Sequence, residues 1–519
     1  MPAKKLLNQR FIINAVAALL GGLAALSFAP FKAYPLILIS LAGLQAIWQR
    51  QSPRQALLSG WCFGLGLYGV GASWVFISIY EHSATPLLLA LFLTLAFISI
   101  FAFTTAAQAY LYLRLDLQRF ALLGFPALWV LFEWLRTWLF TGFPWLFVGY
   151  SVIDTPFSAY APLIGVFGLS FLIALGASML FLSVSALYRR ARGKWKTVGL
   201  SLSCFILIVI GGTTLQKTNW TETKYDKAYS VSIIQGNISQ DIKWDLAYRE
   251  PILNIYKNHT ENNWDSDLII WPEAAIPAFE HEVTAFIQDM HNKALNSHSA
   301  LITGLAVMDF RPAGKTLFYN SIRALGTGDG LYHKQQLVPF GDFVPFEAEL
   351  RDVAAIFNLP MSSFTRGEAN QAPLTVGKLK IAPYICYEIL FPDLVAKTSN
   401  HADILVTISN DAWFGRSAGP HQHFQMARMR AIETGRYLIR STNNGTSAII
   451  DPQGAITHIA PTYVEAILKG EVYAMQGQTP FMRWGSSPIL LLCALIVISV
   501  SILSFVQQLF SRRSVKQTQ

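Results

Sequence analysis

The stretch Lys380-Ile381-Ala382-Pro383-Tyr384-Ile385-Cys386-Tyr387-Glu388-Ile389-Leu390 decides how the rest of the chain is read. Its apolar run predicts a buried strand that ends at Cys386 and then turns into a helix. A thiol at a strand end, with Glu388 two residues on, suits a nucleophile. The competing reading is a structural cysteine, because a free thiol packs as a small hydrophobe.

The surroundings of that stretch are unusual. The chain has 519 residues, 53% of them hydrophobic and 14% charged. Such a balance is too apolar for a soluble protein of this length and predicts a membrane protein. The formal net charge is +9. The basic residues gather at the ends of apolar runs and no finger spacing occurs, which argues against a nucleic-acid partner. Of four cysteines, Cys62, Cys204 and Cys493 lie in long apolar runs, and Cys386 stands alone in the polar part. In an oxidising compartment a thiol without a disulfide partner is a candidate for reactivity.

Apolar runs occupy Phe11–Ala29, Tyr34–Trp48, Ala56–Ile79, Leu87–Leu111, Phe120–Leu139, Leu163–Leu187, Val198–Gly212 and Pro488–Val506. Most approach the roughly 20 apolar residues that cross a bilayer, so about eight spans are expected, the second and seventh short. Lys4, Lys5 and Arg10 give the first run the look of a signal peptide, but further runs follow at once and a retained span is expected. Arg50, Arg54, Arg114, Arg119 and the cluster from Arg189 to Lys196 fall in alternate connections, on the same side as both ends of the chain. That side is expected to be cytoplasmic. The expected organisation is spans one to seven in 1–215, an outward domain in 216–484, and the eighth span with a cytoplasmic tail in 485–519.

The outward segment has ordinary globular composition. Short runs rich in β-branched residues, at Ser230–Ile234, Leu268–Trp271, Ala300–Gly304, Ile404–Ser409, Tyr437–Ser441 and Thr446–Ile450, predict strands. Helical patterns lie between them, at His281–Leu295 and His421–Thr434 for example. The alternation predicts a mixed α/β sheet packed with helices.

Two more stretches set a titratable residue beside an apolar run. In Leu268-Ile269-Ile270-Trp271-Pro272-Glu273, proline ends the strand and Glu273 emerges from it. In Tyr332-His333-Lys334-Gln335-Gln336-Leu337-Val338-Pro339-Phe340-Gly341-Asp342, Lys334 and Asp342 flank an apolar turn. With Cys386 these supply a base, a cation and a thiol, enough for covalent acyl chemistry. A structural ion pair between Glu273 and Lys334 would leave the same trace in the sequence.

Trp-Pro-Glu, the Lys334 stretch with its Leu-Val-Pro-Phe-Gly, and Ile-Cys-Tyr-Glu resemble the Glu-Lys-Cys pattern of the nitrilase (carbon–nitrogen hydrolase) superfamily. With the flanking spans, Gln235-Gly236-Asn237, Ser409-Asn410-Asp411-Ala412-Trp413-Phe414-Gly415 and Ser441-Thr442-Asn443-Asn444-Gly445, nearly the whole chain resembles the apolipoprotein N-acyltransferase family. The resemblance implies a polytopic α-helical membrane protein with an inserted αββα sandwich. It implies Glu273 as general base, Lys334 as oxyanion stabiliser and Cys386 as nucleophile, with Tyr387 and Glu388 beside it. It further implies ping-pong transfer of an acyl chain from a membrane phospholipid to a diacylglyceryl apolipoprotein, on the outer face of the inner membrane, without metal or cofactor. Asp342 departs from the family, which has Glu after Pro-Phe-Gly; it is carried over as an orienting carboxylate. A membrane-anchored amidase and a non-catalytic transporter or binding protein are the rival functions.

Some residues stay open. Trp244 and Asn410 are candidates for lining the site, against plain packing or turn roles. Phe357–Phe364 reads as a membrane-dipping lid or as core. Glu133 and Arg136, three apart, predict a mutual ion pair near the outer interface. Trp134, Trp138 and Trp145 suggest an interfacial belt, and the glycines of the third run suggest close helix packing. His421 and His423 lie two apart with no third ligand, which speaks against a metal.

Overall fold

The computed structural model describes residues 2–82, 85–311, 316–339, 341–343 and 364–517, the side chains of 2–7 and 509–517 excepted. It forms two compact units. The first holds Met1–Val75, Leu91–Thr218 and Ser486–Gln519, and the second holds Phe76–Ala90 and Asn219–Gly485.

The first unit is helical. Among the described residues, four helices are long and apolar enough to cross a membrane, namely Leu87–Arg114, Pro156–Tyr188, Lys194–Leu215 and Ser487–Gln508. A fifth is added if Pro53–Gly71 and Val75–His82 are taken as one bent span. The expected count of about eight therefore stands unconfirmed, and the third run is not the single helix expected. Its glycine-rich end, Gly69 and Gly71, is poor helix material, and the helix stops at Gly71. The glycines before the break serve close packing. A Cβ on Gly64 would lie 2.5 Å from the Cα of Ala102 on the helix Leu87–Arg114.

Two expectations for this unit need correction. Glu133 and Arg136 do not spend their hydrogen bonds on each other. Glu133 accepts from the Trp129 indole at 2.9 Å and from the Val148 N–H at 2.7 Å. Arg136 donates to the Trp145 carbonyl at 2.8 Å and lies over the Phe147 ring at 5.0 Å. Backbone left open by the irregular stretch after residue 135 is what both groups satisfy. Trp145 is buried and stacked on Phe143, so only Trp134 and Trp138 keep the exposure of a belt.

The second unit is built on two seven-stranded sheets among the described residues. Its strands are β1 (Glu222–Gln235), β2 (Leu268–Ile270), β3 (Ile276–Phe279), β4 (Ala300–Phe310), β5 (Thr316–Gly326), β6 (Gly328–Asp329), β7 (Leu331–His333), β8 (Leu374–Val376), β9 (Leu379–Ile385), β10 (Ile404–Ser409), β11 (Leu438–Thr442), β12 (Ala448–Ile450), β13 (Ile456–Ile459) and β14 (Ala466–Gln476). The first sheet runs β14-β1-β2-β4-β5-β7, with β3 also on β4; the second runs β13-β12-β11-β10-β9-β8-β6. In the centre of each sheet the strands are parallel, β1 to β2 to β4 and β9 to β10 to β11. The long β14 and β5, which the sequence did not single out, pair antiparallel with β1 and β4.

Side chains alternate across a strand, and the alternation fixes the layers. Val231, Ile233, Leu268, Ile270 and Ile302 meet Ile381, Ile385, Ile404, Val406, Ile408 and Ile439 of the other sheet in one buried core. Their neighbours Ile234, Ile269 and Leu301 point the other way, onto Leu253 and Tyr256 of the helix Arg249–Glu261 and Met290 of the helix Thr284–Asn296. On the outer face of the second sheet, Tyr384 meets Thr398 of the helix Pro392–Ser399 at 2.6 Å between hydroxyls. The result is helix, sheet, sheet, helix, the sandwich that the resemblance implies. Strands that begin the reactive stretches thus end near one another, on facing sheets.

Candidate active site

Glu273 follows β2 on the turn Trp271-Pro272-Glu273. The turn is pinned by the Trp271 N–H on the Ile302 carbonyl at 2.9 Å and by the Trp271 indole on Thr260 at 3.0 Å. It lies directly on β4. A Cβ on Gly304 would stand 2.7 Å from the Ala274 nitrogen and 2.8 Å from the Pro272 oxygen, so no larger residue fits there. The carboxylate is held at both oxygens: Oε1 accepts from Asn320 Nδ2 at 2.9 Å, and Oε2 from the Asn410 N–H at 3.0 Å.

Lys334 leaves the end of β7 and is almost fully buried. Its ammonium lies 2.7 Å from Asp342 Oδ2 and 3.6 Å from Glu273 Oε1. Burial alone would push the ammonium down, but the two carboxylates, Asp342 foremost, outweigh it and hold the group well above the usual lysine range. Asp342 reaches despite its short side chain because its own turn is closed, with the Val338 N–H on Oδ2 at 2.8 Å.

Cys386 is the first residue after β9 and is half-buried. Its φ is +53, a left-handed backbone that a non-glycine residue keeps only where its surroundings enforce it. Burial pushes the thiol well above its ordinary value; Glu273 raises it further, and Lys334 draws it back down. The thiol therefore lies in the field of both groups.

Glu388 has another task. Its Oε1 accepts from the Tyr332 hydroxyl at 2.9 Å and the N–H groups of Gln335 and Gln336, and Oε2 accepts from the Ile385 N–H at 2.7 Å. It ties the lysine segment to the cysteine strand. Burial pushes its carboxyl up to about 7 against the pull of these backbone donors. Replacing Glu388 by Gln turns an amide N–H₂ onto a buried donor, at about 1–3 kcal/mol for the unsatisfied group. A thermal melt of the Glu388→Gln variant is expected to shift down by roughly 2–12 °C; an unchanged midpoint would show that the clamp carries no load.

Tyr387 is buried with its ring edge toward Phe391, and burial raises its phenol. Asn410 joins the group through its backbone, while its side chain donates to Gln240 at 2.7 Å and accepts from Asn443 at 3.1 Å. Trp244 is half-buried, and among the described residues no hydrogen bond or ring contact joins it to the site. The lid expectation for 357–363 lies outside the described residues. His421 is exposed and His423 buried, and among the described residues no group of three or more His, Cys, Asp or Glu could hold a metal ion.

Several participants left no mark in the sequence. Lys243 is buried and donates to the Glu273 carbonyl at 2.9 Å. Burial pushes its ammonium down to about 8, with Glu273 and Cys386 pulling the other way. A lone lysine in a loop carries no periodicity, and nothing local distinguishes it. Asn320 lies on a strand the sequence did not reveal. The loop after Asn410 is held by a remote segment: Ser78 donates to the Trp413 carbonyl at 2.7 Å, and the His82 ring packs edge-on against Trp413.

A family profile described as apolipoprotein N-acyltransferase N-terminal domain matches residues 20–179, and one described as carbon-nitrogen hydrolase matches 230–480. An apolipoprotein N-acyltransferase of Pseudomonas syringae pv. tomato is 41% identical over 93% of this chain and 95% of its own length. That of Vibrio vulnificus is 41% identical over 95% of this chain and 97% of its own. Among solved structures, Saccharomyces cerevisiae Nit3, a member of branch 10 of the nitrilase superfamily, aligns at 17% identity and a TM-score of 0.36, covering 49% of this chain and 92% of that one. With relatives this similar along nearly their whole length, the chain belongs to the apolipoprotein N-acyltransferase family.

Proposed function

We propose that the chain transfers a fatty acyl group from a membrane phospholipid, through a thioester on Cys386, to the α-amino group of the N-terminal diacylglyceryl-cysteine of a lipoprotein. The observation that carries this is the placement of the Cys386 thiol in the joint field of Glu273 and Lys334. Glu273 takes the proton from Sγ, and the thiolate attacks the ester carbonyl. The Lys334 ammonium, oriented by Asp342, neutralises the tetrahedral oxyanion. As that intermediate collapses, Glu273 returns the proton to the departing lysophospholipid oxygen. In the second half, Glu273 takes a proton from the attacking amine, an amide forms, and the Cys386 thiolate leaves. Water in place of the amine would make the same machinery an amidase, so exclusion of water is part of the function.

Both substrates are lipids, which suits a chain rich in apolar helices. The basic connections support about eight spans in the inner membrane, both termini cytoplasmic, and the domain of 216–484 facing the periplasm. Tyr387, Trp244 and Asn410 are assigned to lining or supporting the site.

Intact-mass analysis after incubation with phospholipid tests the reading. A hydroxylamine-labile adduct of one acyl chain on the Cys386 peptide is expected, and a synthetic diacylglyceryl-cysteine peptide should discharge it as an N-acylated product. Folded protein that forms no adduct, or an adduct that only water discharges, would overturn it.

A further inference from the structure

The backbone of Cys386 is held in place by a buried polar cluster distinct from Glu273 and Lys334. The Cys386 carbonyl faces His423 Nε2 at 3.2 Å. A carbonyl oxygen only accepts, so Nε2 carries the proton. The other ring nitrogen, Nδ1, lies 3.2 Å from Arg440 Nη2 and 3.1 Å from Asp411 Oδ1. Arg440 Nη2 also donates to both Asp411 oxygens, at 2.8 and 3.1 Å. Burial and the Arg440 charge hold the imidazole below its ordinary range against the pull of Asp411. Asp411 faces Nδ1, and Arg440 braces the Asp411 carboxylate. Arg440 is itself fixed on β11, with Nε on the Thr446 carbonyl at 3.2 Å. None of the three side chains is more than 1% exposed.

We propose that His423 is a positioning residue for the acyl transfer, its Nε2–H clamping the Cys386 carbonyl so that the left-handed backbone aims Sγ at the ester, while Asp411, braced by Arg440, holds the far side of the ring. The inference rests on Cys386 as the nucleophile. His423 does not act as the base, because its proton-bearing nitrogen faces the carbonyl. Tertiary placement alone shows the link: His423 lies in the helix Ala418–Thr434, Asp411 after β10, and Arg440 on the next strand.

Gln and Asn at position 423 separate the clamp from general packing. The longer amide places a donor near the position of Nε2, and the shorter one does not. Single-turnover thioester formation is expected to stay within about fivefold of wild type in His423→Gln and to fall about 100-fold in His423→Asn, the cost of a misaimed nucleophile. The Michaelis constant for phospholipid should be unchanged in both. His423→Leu, without any donor, should match the Asn variant and replaces it if that variant does not fold. Equal rates in the Gln and the donor-less variants, or losses that follow the melting temperature, would overturn the proposal. Alkylation of Cys386 by iodoacetamide, read in parallel, separates this from the function. The clamp predicts the same ranking of variants there even if wild type forms no acyl adduct, and that last result would sink only the acyl-transfer reading.

Discussion

Replacing Cys386 by alanine is expected to eliminate the acyl adduct and to lower turnover by about 10⁴-fold or more, the scale seen when a covalent nucleophile is removed. Neither lysine described at the site takes its place. Lys334 is fully committed to two carboxylates, with Asp342 Oδ2 at 2.7 Å, and is a cation. Lys243 donates to the Glu273 carbonyl. The serine variant is the more instructive control. It keeps the size, the half-buried position and the φ of +53, but a hydroxyl is far harder to deprotonate than a thiol. Cys386→Ser is therefore expected to fold with an unchanged melting midpoint and to show no adduct by intact mass. Residual transfer within tenfold of wild type in either variant would move the nucleophile elsewhere.

Replacing Glu273 by glutamine is expected to slow thioester formation by about 10³-fold, in the range assigned to a positioned general base. The amide keeps the shape of the carboxyl and one acceptor oxygen for Asn320 Nδ2 or the Asn410 N–H. Lys334 keeps Asp342. The fold should survive, and the loss then belongs to chemistry. A second signature distinguishes this from simple damage. The Glu273 charge raises the Cys386 thiol, and Lys334 lowers it. With Glu273 neutral, only the lowering partner of that pair remains, so the thiol should ionise at lower pH. The pH profile of iodoacetamide alkylation should shift toward acid while acyl transfer collapses, because the thiolate is then present and the proton carrier is not. If alkylation shifts toward alkali, or if acylation persists within tenfold, Glu273 is not the base.

The two signatures depend on different parts of the site. Removing Cys386 takes away the bond-forming atom and leaves the electrostatics intact. Removing the Glu273 charge leaves a sulfur that still reacts with a small electrophile and no longer completes a transfer. Asp342 belongs with the second group, since it holds Lys334 at 2.7 Å whether or not Glu273 carries its charge.

The sequence by itself determined the parts that local pattern can carry. Apolar runs near 20 residues mark spans because a bilayer imposes that length. The ends of the strands carrying Glu273 and Cys386 are visible because a buried strand is a short apolar run closed by proline or a turn. Asp342 beside its apolar turn is visible for the same reason. Where local pattern misleads, the tertiary structure corrects it. Spacing of three puts Glu133 and Arg136 on one helix face, yet both turn to the open backbone around Trp145 and Val148. Glu388, two residues from the thiol, faces backbone N–H groups instead of the reaction. Only the tertiary structure brings the Glu273 charge, from the first sheet, to bear on the Cys386 thiol, from the second, since that follows from packing two sheets face to face. It alone recruited Lys243, Asn320 and the His423–Arg440–Asp411 cluster. These are single polar residues with no period and no spacing signal, and their roles exist only once burial has removed water and left each donor with one acceptor to find.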